Sequence, residues 1–346
     1  MKYLFLILSI GSVVIFGSIL SSCSGSSTTT TTLVGCWDKK SDFGGITRGN
    51  AVGFVIQEKA YVVGGYNADL NKRQNDMYQY DPAKNSWLVR APFPGTARSQ
   101  AVAFVINNKG YVGTGIDDAS NRLKDFYEYD PAINQWRKIA DFVDGRYGAI
   151  AFSVSNRGYV GGGYNGNGQS DVWEYKPDGN TWEARSNFSS KRVNACSFVI
   201  GNSAYVLGGS SNNITVKSVE QYDPANDVWT PKLQLIQRDL TGATIVQPNS
   251  RDFAGAFSID GYGYITCGSI GGSPLGDTWQ YNPTSDTWVQ YYSLNKEAAS
   301  RDGAVSFAIG LNGYTTTGRS GNTRFDDCWV FIPACDEGTA VGGNGL

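Results

Sequence analysis

Six arginines recur along the chain, each followed by Ala at plus three, Phe at plus six, Val or Ile at plus eight and Tyr at plus thirteen. They are Arg48, Arg98, Arg146, Arg192, Arg251 and Arg301, spaced 46 to 59 residues apart. No other feature constrains the fold as strongly. A period of that length marks an array of one supersecondary unit, whose copies bury their apolar faces only against one another. Position plus five is Gly, Ala or Ser in every copy (Gly53, Ala103, Ala151, Ser197, Ala256, Ser306). Small residues at alternate positions of an apolar run predict an inner strand crowded toward a common axis, with the Phe filling the space between neighbouring units.

Each unit reads as four short strands. The first runs from the Arg to the Val or Ile, as in Arg48 to Ile56. After a tight polar turn such as Asn107 to Gly110, the second begins at the Tyr and ends in Gly-Gly. Gly64-Gly65, Gly162-Gly163 and Gly208-Gly209 keep both glycines, while Thr114, Cys267 and Thr317 replace the first. The third strand alternates, as in Val172-Trp173-Glu174-Tyr175, the period-two pattern of a half-buried strand. A turn opened by Asp81-Pro82, Asp130-Pro131 or Asp223-Pro224 follows. Seven residues after the last Tyr stands a Trp, from Tyr80 and Trp87 to Tyr281 and Trp288, which opens the outer strand. With no helical stretch after residue 33, this pattern predicts an all-β fold, a six-bladed β-propeller with four antiparallel strands per blade. The paired glycines, Tyr and Trp at these spacings resemble the kelch repeat over roughly residues 33 to 336, with five complete Tyr-to-Trp matches. The propeller domain is assigned to residues 33–340 and a tail to 341–346.

The sixth unit lacks a Trp after Phe331-Ile332-Pro333-Ala334-Cys335. Gly35-Cys36-Trp37, however, precedes Arg48 by the interval that separates Trp87 from Arg98. Residues 33–43 are therefore expected to supply the outer strand of the last blade and so close the ring. Overlaying the two segments sets Cys36 beside the turn that bears Cys335. Either a disulfide or two free thiols fits there, and an oxidising compartment favours the bond. Cys196, Cys267 and Cys328 take the places of apolar or glycine strand residues and read as small buried fillers.

Lys and Arg number 29 against 31 Asp and Glu, and no basic run occurs, so nucleic acid is not an expected partner. Residues 1–22 read as a secretory signal, with Lys2 ahead of an apolar stretch from Leu4 to Leu20. Leu20-Ser21-Ser22-Cys23 resembles the bacterial lipobox. That resemblance implies that Cys23 becomes the lipid-bearing first residue of the mature chain; the alternative is an ordinary signal peptide with an incidental Cys. Ser24 after it, rather than Asp, suits the outer membrane. Residues 23–32, with threonine from Thr28 to Thr32, form a polar tether that cannot bury a core. The expectation is a monomer held at the bacterial cell envelope by its lipid anchor alone, facing periplasm or exterior.

The turns joining strands one and two, and three and four, are short, which leaves one face of the disc plain. The other face carries loops that vary, among them Tyr66–Asp76 and Arg319–Asp327, and a 22-residue connection from Trp229 to Arg251 where 10 to 13 residues serve elsewhere. Variable loops on a rigid scaffold are where function concentrates. The six arginines begin the inner strands on this face. They form either a positive collar at the channel mouth, suited to carboxylates or sugar hydroxyls, or repeat-maintaining groups paired with Asp76, Asp125, Asp171, Asp277 and Asp327. A group present in every repeat serves the repeat. The ligand-binding candidates are therefore residues that break it: Arg238, Asp239, Asp252, Glu297, Asp302, Arg319, Tyr66 and Tyr164.

The chain has no histidine. That excludes the copper site of galactose oxidase, another kelch propeller, together with a Ser-His-Asp triad and the usual zinc sites. No phosphate-binding glycine loop is present, and neither metal nor cofactor is expected. Acid–base chemistry by carboxylate and Arg remains open. Sialic-acid mutarotases (N-acetylneuraminate epimerases) resemble this chain in having six kelch blades, and they need only a positioned acid or base and an Arg; Asp252, Asp302 or Glu297 could serve here. The leading expectation is a non-catalytic envelope lipoprotein that binds a protein or carbohydrate partner on its loop-rich face, with the mutarotase as the alternative.

Overall fold

Each repeat folds into one four-stranded antiparallel sheet, and the six sheets form the blades of a propeller. The computed structural model describes residues 33–235 and 247–335. Cys23, the tether, Arg238, Asp239 and the tail 341–346 lie outside the described residues.

Blade one shows how the repeat builds a sheet. Val52–Ile56 pairs with Lys59–Val63, which pairs with Met77–Asp81, which pairs with the outer strand Ser86–Arg90. The register sets Phe54 opposite Tyr61 and Tyr80 opposite Trp87. Phe54 and Tyr61 stack at 5.0 Å, and Tyr129 of blade two meets the edge of Tyr61 at 5.5 Å. The same Phe–Tyr stack recurs in all six blades. Aromatic pairs contribute roughly 0.5–1.5 kcal/mol each beyond their burial, so the interblade core carries much of the stability. Gly110 makes room for this packing, because a Cβ there would lie 2.4 Å from the Phe54 ring.

The inner strands begin four residues later than expected, at Val52 rather than Arg48. The reason is position plus two, where Asn50, Gln100, Gly148, Asn194, Phe253 and Gly303 all have φ between 53° and 59°. This left-handed kink turns each N–H toward the plus-two carbonyl of a neighbouring blade. Asn50 donates to Gly303, Gln100 to Asn50, Gly148 to Gln100, Asn194 to Gly148, Phe253 to Asn194 and Gly303 to Phe253, at 2.8–3.1 Å. Six hydrogen bonds thus close a ring around the axis.

The N-terminal strand Cys36–Lys40 pairs antiparallel with Cys328–Ile332 and completes blade six. Trp37 lies opposite Phe331, is buried, and donates through Nε1 to the Tyr292 carbonyl at 3.1 Å. Cys36 and Cys335 form a disulfide with Cα atoms 5.7 Å apart. The other cysteines among the described residues are buried and free; burial pushes the thiol of Cys196 up to about 12, Cys267 up to about 11 and Cys328 up to about 12, which keeps them unreactive. Four loops fold into two-residue hairpins that the sequence pattern does not announce: Tyr66–Asn67 with Lys72–Arg73, Ser210–Ser211 with Ile214–Thr215, Ser269–Ile270 with Ser273–Pro274, and Arg319–Ser320 with Thr323–Arg324.

Candidate functional site

The repeated arginines do not ring the channel mouth. Each is at most 1% exposed and turned into its own blade. Arg146 is representative: Nη1 and Nη2 donate to the two Asp171 carboxylate oxygens at 2.7 and 2.9 Å, and Nη1 also donates to the Gly162 carbonyl at 2.9 Å. Arg251 grips Asp277 in the same bidentate way, and Arg48, Arg98 and Arg301 pair with Asp76, Asp125 and Asp327. The guanidinium therefore ties the start of the inner strand to the glycine corner and to the start of the third strand. In blade four Ser218 stands where the Asp would be, and Arg192 turns to Glu220 and the Ser218 hydroxyl. A Phe four or five residues before the Arg packs on the guanidinium in four blades: Phe43, Phe93, Phe142 and Phe188, at 4.5–5.2 Å. That spacing is regular in the sequence and was the available signal for this missed element.

The channel wall is built from positions plus three to plus five of all six repeats and encloses about 270 Å³. Its mouth on the loop face, about 140 Å³, is lined by the plus-two ring, where Gln100 Nε2 donates to Asn194 Oδ1 across the opening at 3.2 Å. These walls carry no titratable group except the buried Cys196 thiol, so any acid–base chemistry must sit above them.

Above the mouth, each plus-one residue bridges the residue that follows the glycine corner, giving the pairs Gly49–Tyr66, Ser99–Ile116, Tyr147–Tyr164, Val193–Ser210, Asp252–Ser269 and Asp302–Arg319. Charge gathers on blades five and six. Ser269 Oγ donates to Asp252 Oδ1 at 2.6 Å, and Arg319 Nε donates to Asp302 Oδ1. Arg319 also lies over the Phe253 ring at 5.0 Å. Arg324 is the direct cross-strand neighbour of Arg319 in the blade-six hairpin. Its guanidinium lies 5.7 Å from the Tyr66 ring centre, and its Nε is buried without a hydrogen-bond partner. Like charges set directly opposite in a ladder are unfavourable. Burial first, then the Arg319 charge, hold the Arg324 pKa below its ordinary value. Burial raises the Asp252 carboxyl, the Ser269 hydrogen bond opposes this, and the nearby Asp302 charge adds to the rise.

Of the sequence candidates, Asp252, Asp302, Arg319 and Tyr66 come together across blades five, six and one. Tyr164 lies on blade three, 5.4 Å from Tyr147 and below Arg122, in a separate aromatic patch. Glu297 follows the short 3-10 turn Leu294–Lys296 and accepts from Tyr292 Oη at 3.0 Å, on an exposed edge away from the cluster. Arg324, Phe253 and Arg73, the last 5.6 Å from the Tyr66 ring centre, join the cluster without having been singled out. They come from three blades, and no local pattern links them.

A family model described as the KLHDC2/KLHL20/DRC7 Kelch-repeats domain matches residues 45–209, and a Kelch motif model matches residues 191–232. No curated protein matches the chain. Among solved structures, that of YjhT aligns with a TM-score of 0.69 at 16% identity, covering 83% of this chain and 95% of that one. At that identity the likeness shows the fold alone.

Proposed function

The chain belongs to the kelch-repeat β-propeller family, and from that premise we propose that it is a non-catalytic binding protein of the bacterial cell envelope whose loop face takes a carbohydrate bearing an acidic group. The observation that carries this reading is the Arg319–Arg324 pair, two arginines directly opposite each other in the blade-six hairpin, one guanidinium over Phe253 and hydrogen-bonded to Asp302, the other beside Tyr66. An arrangement that costs stability in the free protein is relieved when an anionic group lies between the two cations. Around them, Asp252, held by Ser269, offers a carboxylate acceptor for sugar hydroxyls, and Tyr66 and Phe253 offer apolar ring faces.

Glycan-array screening followed by calorimetry tests this. Arg324→Ala is expected to weaken binding about tenfold or more, whereas Glu297→Gln leaves it unchanged. Absence of any carbohydrate ligand would sink the reading. A mutarotase is the second reading, favoured by the raised Asp252 carboxyl beside an Arg. NMR exchange spectroscopy showing that the protein accelerates anomer interconversion of sialic acid, and that Asp252→Asn abolishes this, would replace the binder with the enzyme.

The envelope assignment rests on the segment ahead of the propeller, with Lys2, the apolar stretch from Leu4 to Leu20, and Leu20-Ser21-Ser22-Cys23. Mass spectrometry of protein extracted from membranes should find a lipid-modified N-terminal Cys23, lost in Cys23→Ala; an unmodified Cys23 would overturn the anchor.

A further inference from the structure

On the plain face, opposite the loops, a cleft of about 410 Å³ opens between blades one and two, lined among others by Lys59, Tyr61, Gln79, Arg90, Lys109 and Asp130. The repeat makes the chemistry of this cleft readable. In blade two the matching third-strand residue is Glu128, which accepts from Tyr111 Oη at 2.8 Å, Arg137 Nη2 at 2.8 Å and Lys109 Nζ at 3.2 Å. In blade three it is Glu174, which accepts from Lys176 Nζ and Arg185 Nε, both at 2.7 Å. Both glutamates are almost wholly buried, at 5% and 1% exposure, and each is held by cations of its own blade.

Blade one keeps the cations and lacks the carboxylate. Lys59 occupies the register position of Lys109, and Arg90, paired with Met77, occupies that of Arg185, paired with Val172. Between them stands the neutral Gln79, 9% exposed. Lys59 is neutralised by Asp81 at 2.6 Å, and Lys109 by Glu128 and Asp130. Arg90 makes no ion pair among the described residues and sits beside the Tyr61 hydroxyl. Its Nε and the Oε1 of Gln79 are buried without hydrogen-bond partners. Buried polar groups of native proteins are normally satisfied, and a buried cation is normally paired.

We propose that this cleft binds a small carboxylate, which lies beside the Gln79 amide and gives Arg90 the negative charge that the Glu128 and Glu174 side chains give the cations of the next two blades. Arg90 supplies the uncompensated positive charge, while the Gln79 side-chain amide nitrogen and the Tyr61 hydroxyl donate neutral hydrogen bonds. One net positive charge selects one carboxylate. The site lies on the opposite face from the loop cluster and does not depend on that cluster's function.

Acetate serves as the probe, compared with chloride at equal ionic strength by thermal unfolding of the purified protein. At about ten times its Kd, acetate is expected to raise Tm by about 2 °C. Arg90→Met should remove the response. Gln79→Glu, which installs the missing carboxylate inside the fold, should start at a higher Tm than the parent and respond no further. The proposal is overturned if acetate leaves the parent Tm unchanged, if parent and both variants respond equally, or if Gln79→Glu lowers Tm.

Discussion

At the scale of single residues, the Arg–Asp pair of each blade is where charge is committed to structure. Burial alone would raise the Asp171 carboxyl, yet the hydrogen bond and charge of Arg146, with the Trp173 indole, hold it below its ordinary value. Asp277 and Asp327 are lowered by the same arrangement with Arg251 and Arg301. A carboxylate whose folded pKa is depressed contributes stability that is fully present above its unfolded value, about 3.9, and is lost as pH falls through the folded value. Asp171→Asn removes the bidentate partner and leaves Arg146 only the partly exposed Asp144 as counter-charge, which is expected to cost about 2–3 kcal/mol at pH 7. In urea unfolding at a series of pH values, that difference should hold down to about pH 4 and then shrink. Asp42→Asn is the control, since its pair with Lys39 is exposed on both sides and is worth little. A penalty for Asp171→Asn that did not change with pH would mean that the carboxylate's shape, and not its charge, holds the corner.

At the scale of elements, what could be read from the sequence was whatever repeats. Tyr80 with Trp87 and its copies announce strands three and four, because two large aromatics at fixed spacing must bury against each other across a ladder. Trp37 could be assigned to blade six because its distance to Arg48 matched a spacing already established within the other blades. The start of the inner strand was misplaced because position plus two varies among Asn, Gln, Gly and Phe, while the shared property is a left-handed φ that only Gly and Asn advertise. Gln100 and Phe253 adopt it because the ring of backbone hydrogen bonds holds them there. The loop hairpins escaped for a related reason: two residues per strand are too few for a period-two pattern to register. The candidate site was half legible. Asp252, Asp302 and Arg319 stood out as breaks in the repeat, but Phe253 joins them through a contact between blades and Arg324 through a hairpin too short to register, and no spacing within the repeat encodes either.

At the scale of the whole molecule, a ring differs from an open array in that every blade has two neighbours and no unit has a free end. Six hydrophobic clusters, one at each interblade seam, make the loss of one contact a matter for its neighbours as well. Only blade six is built from both ends of the chain. Five residue pairs from Cys36 with Ile332 to Lys40 with Cys328 and the buried Trp37 hold it there, together with a disulfide joining residues 299 positions apart. Opening that seam would expose Cys328–Ile332 as an edge strand with Phe331 and Val330 uncovered, an edge prone to pair with another chain. The disulfide opposes this by tethering the opened strand to its partner, and it also limits the unfolded chain, which is worth roughly 2–4 kcal/mol. Replacing both cysteines by serine should therefore lower the free energy of unfolding by that amount, read from the denaturant curve, while the transition stays single, because the strand pairing still closes the ring. Native-state amide exchange locates the effect. Protection of residues 36–40 and 328–332 should fall more than that of blade three, which opens only with the whole ring. An equal loss of protection in every blade would show that the bond acts on the unfolded chain alone and that the paired strand and Trp37 keep the seam shut without it.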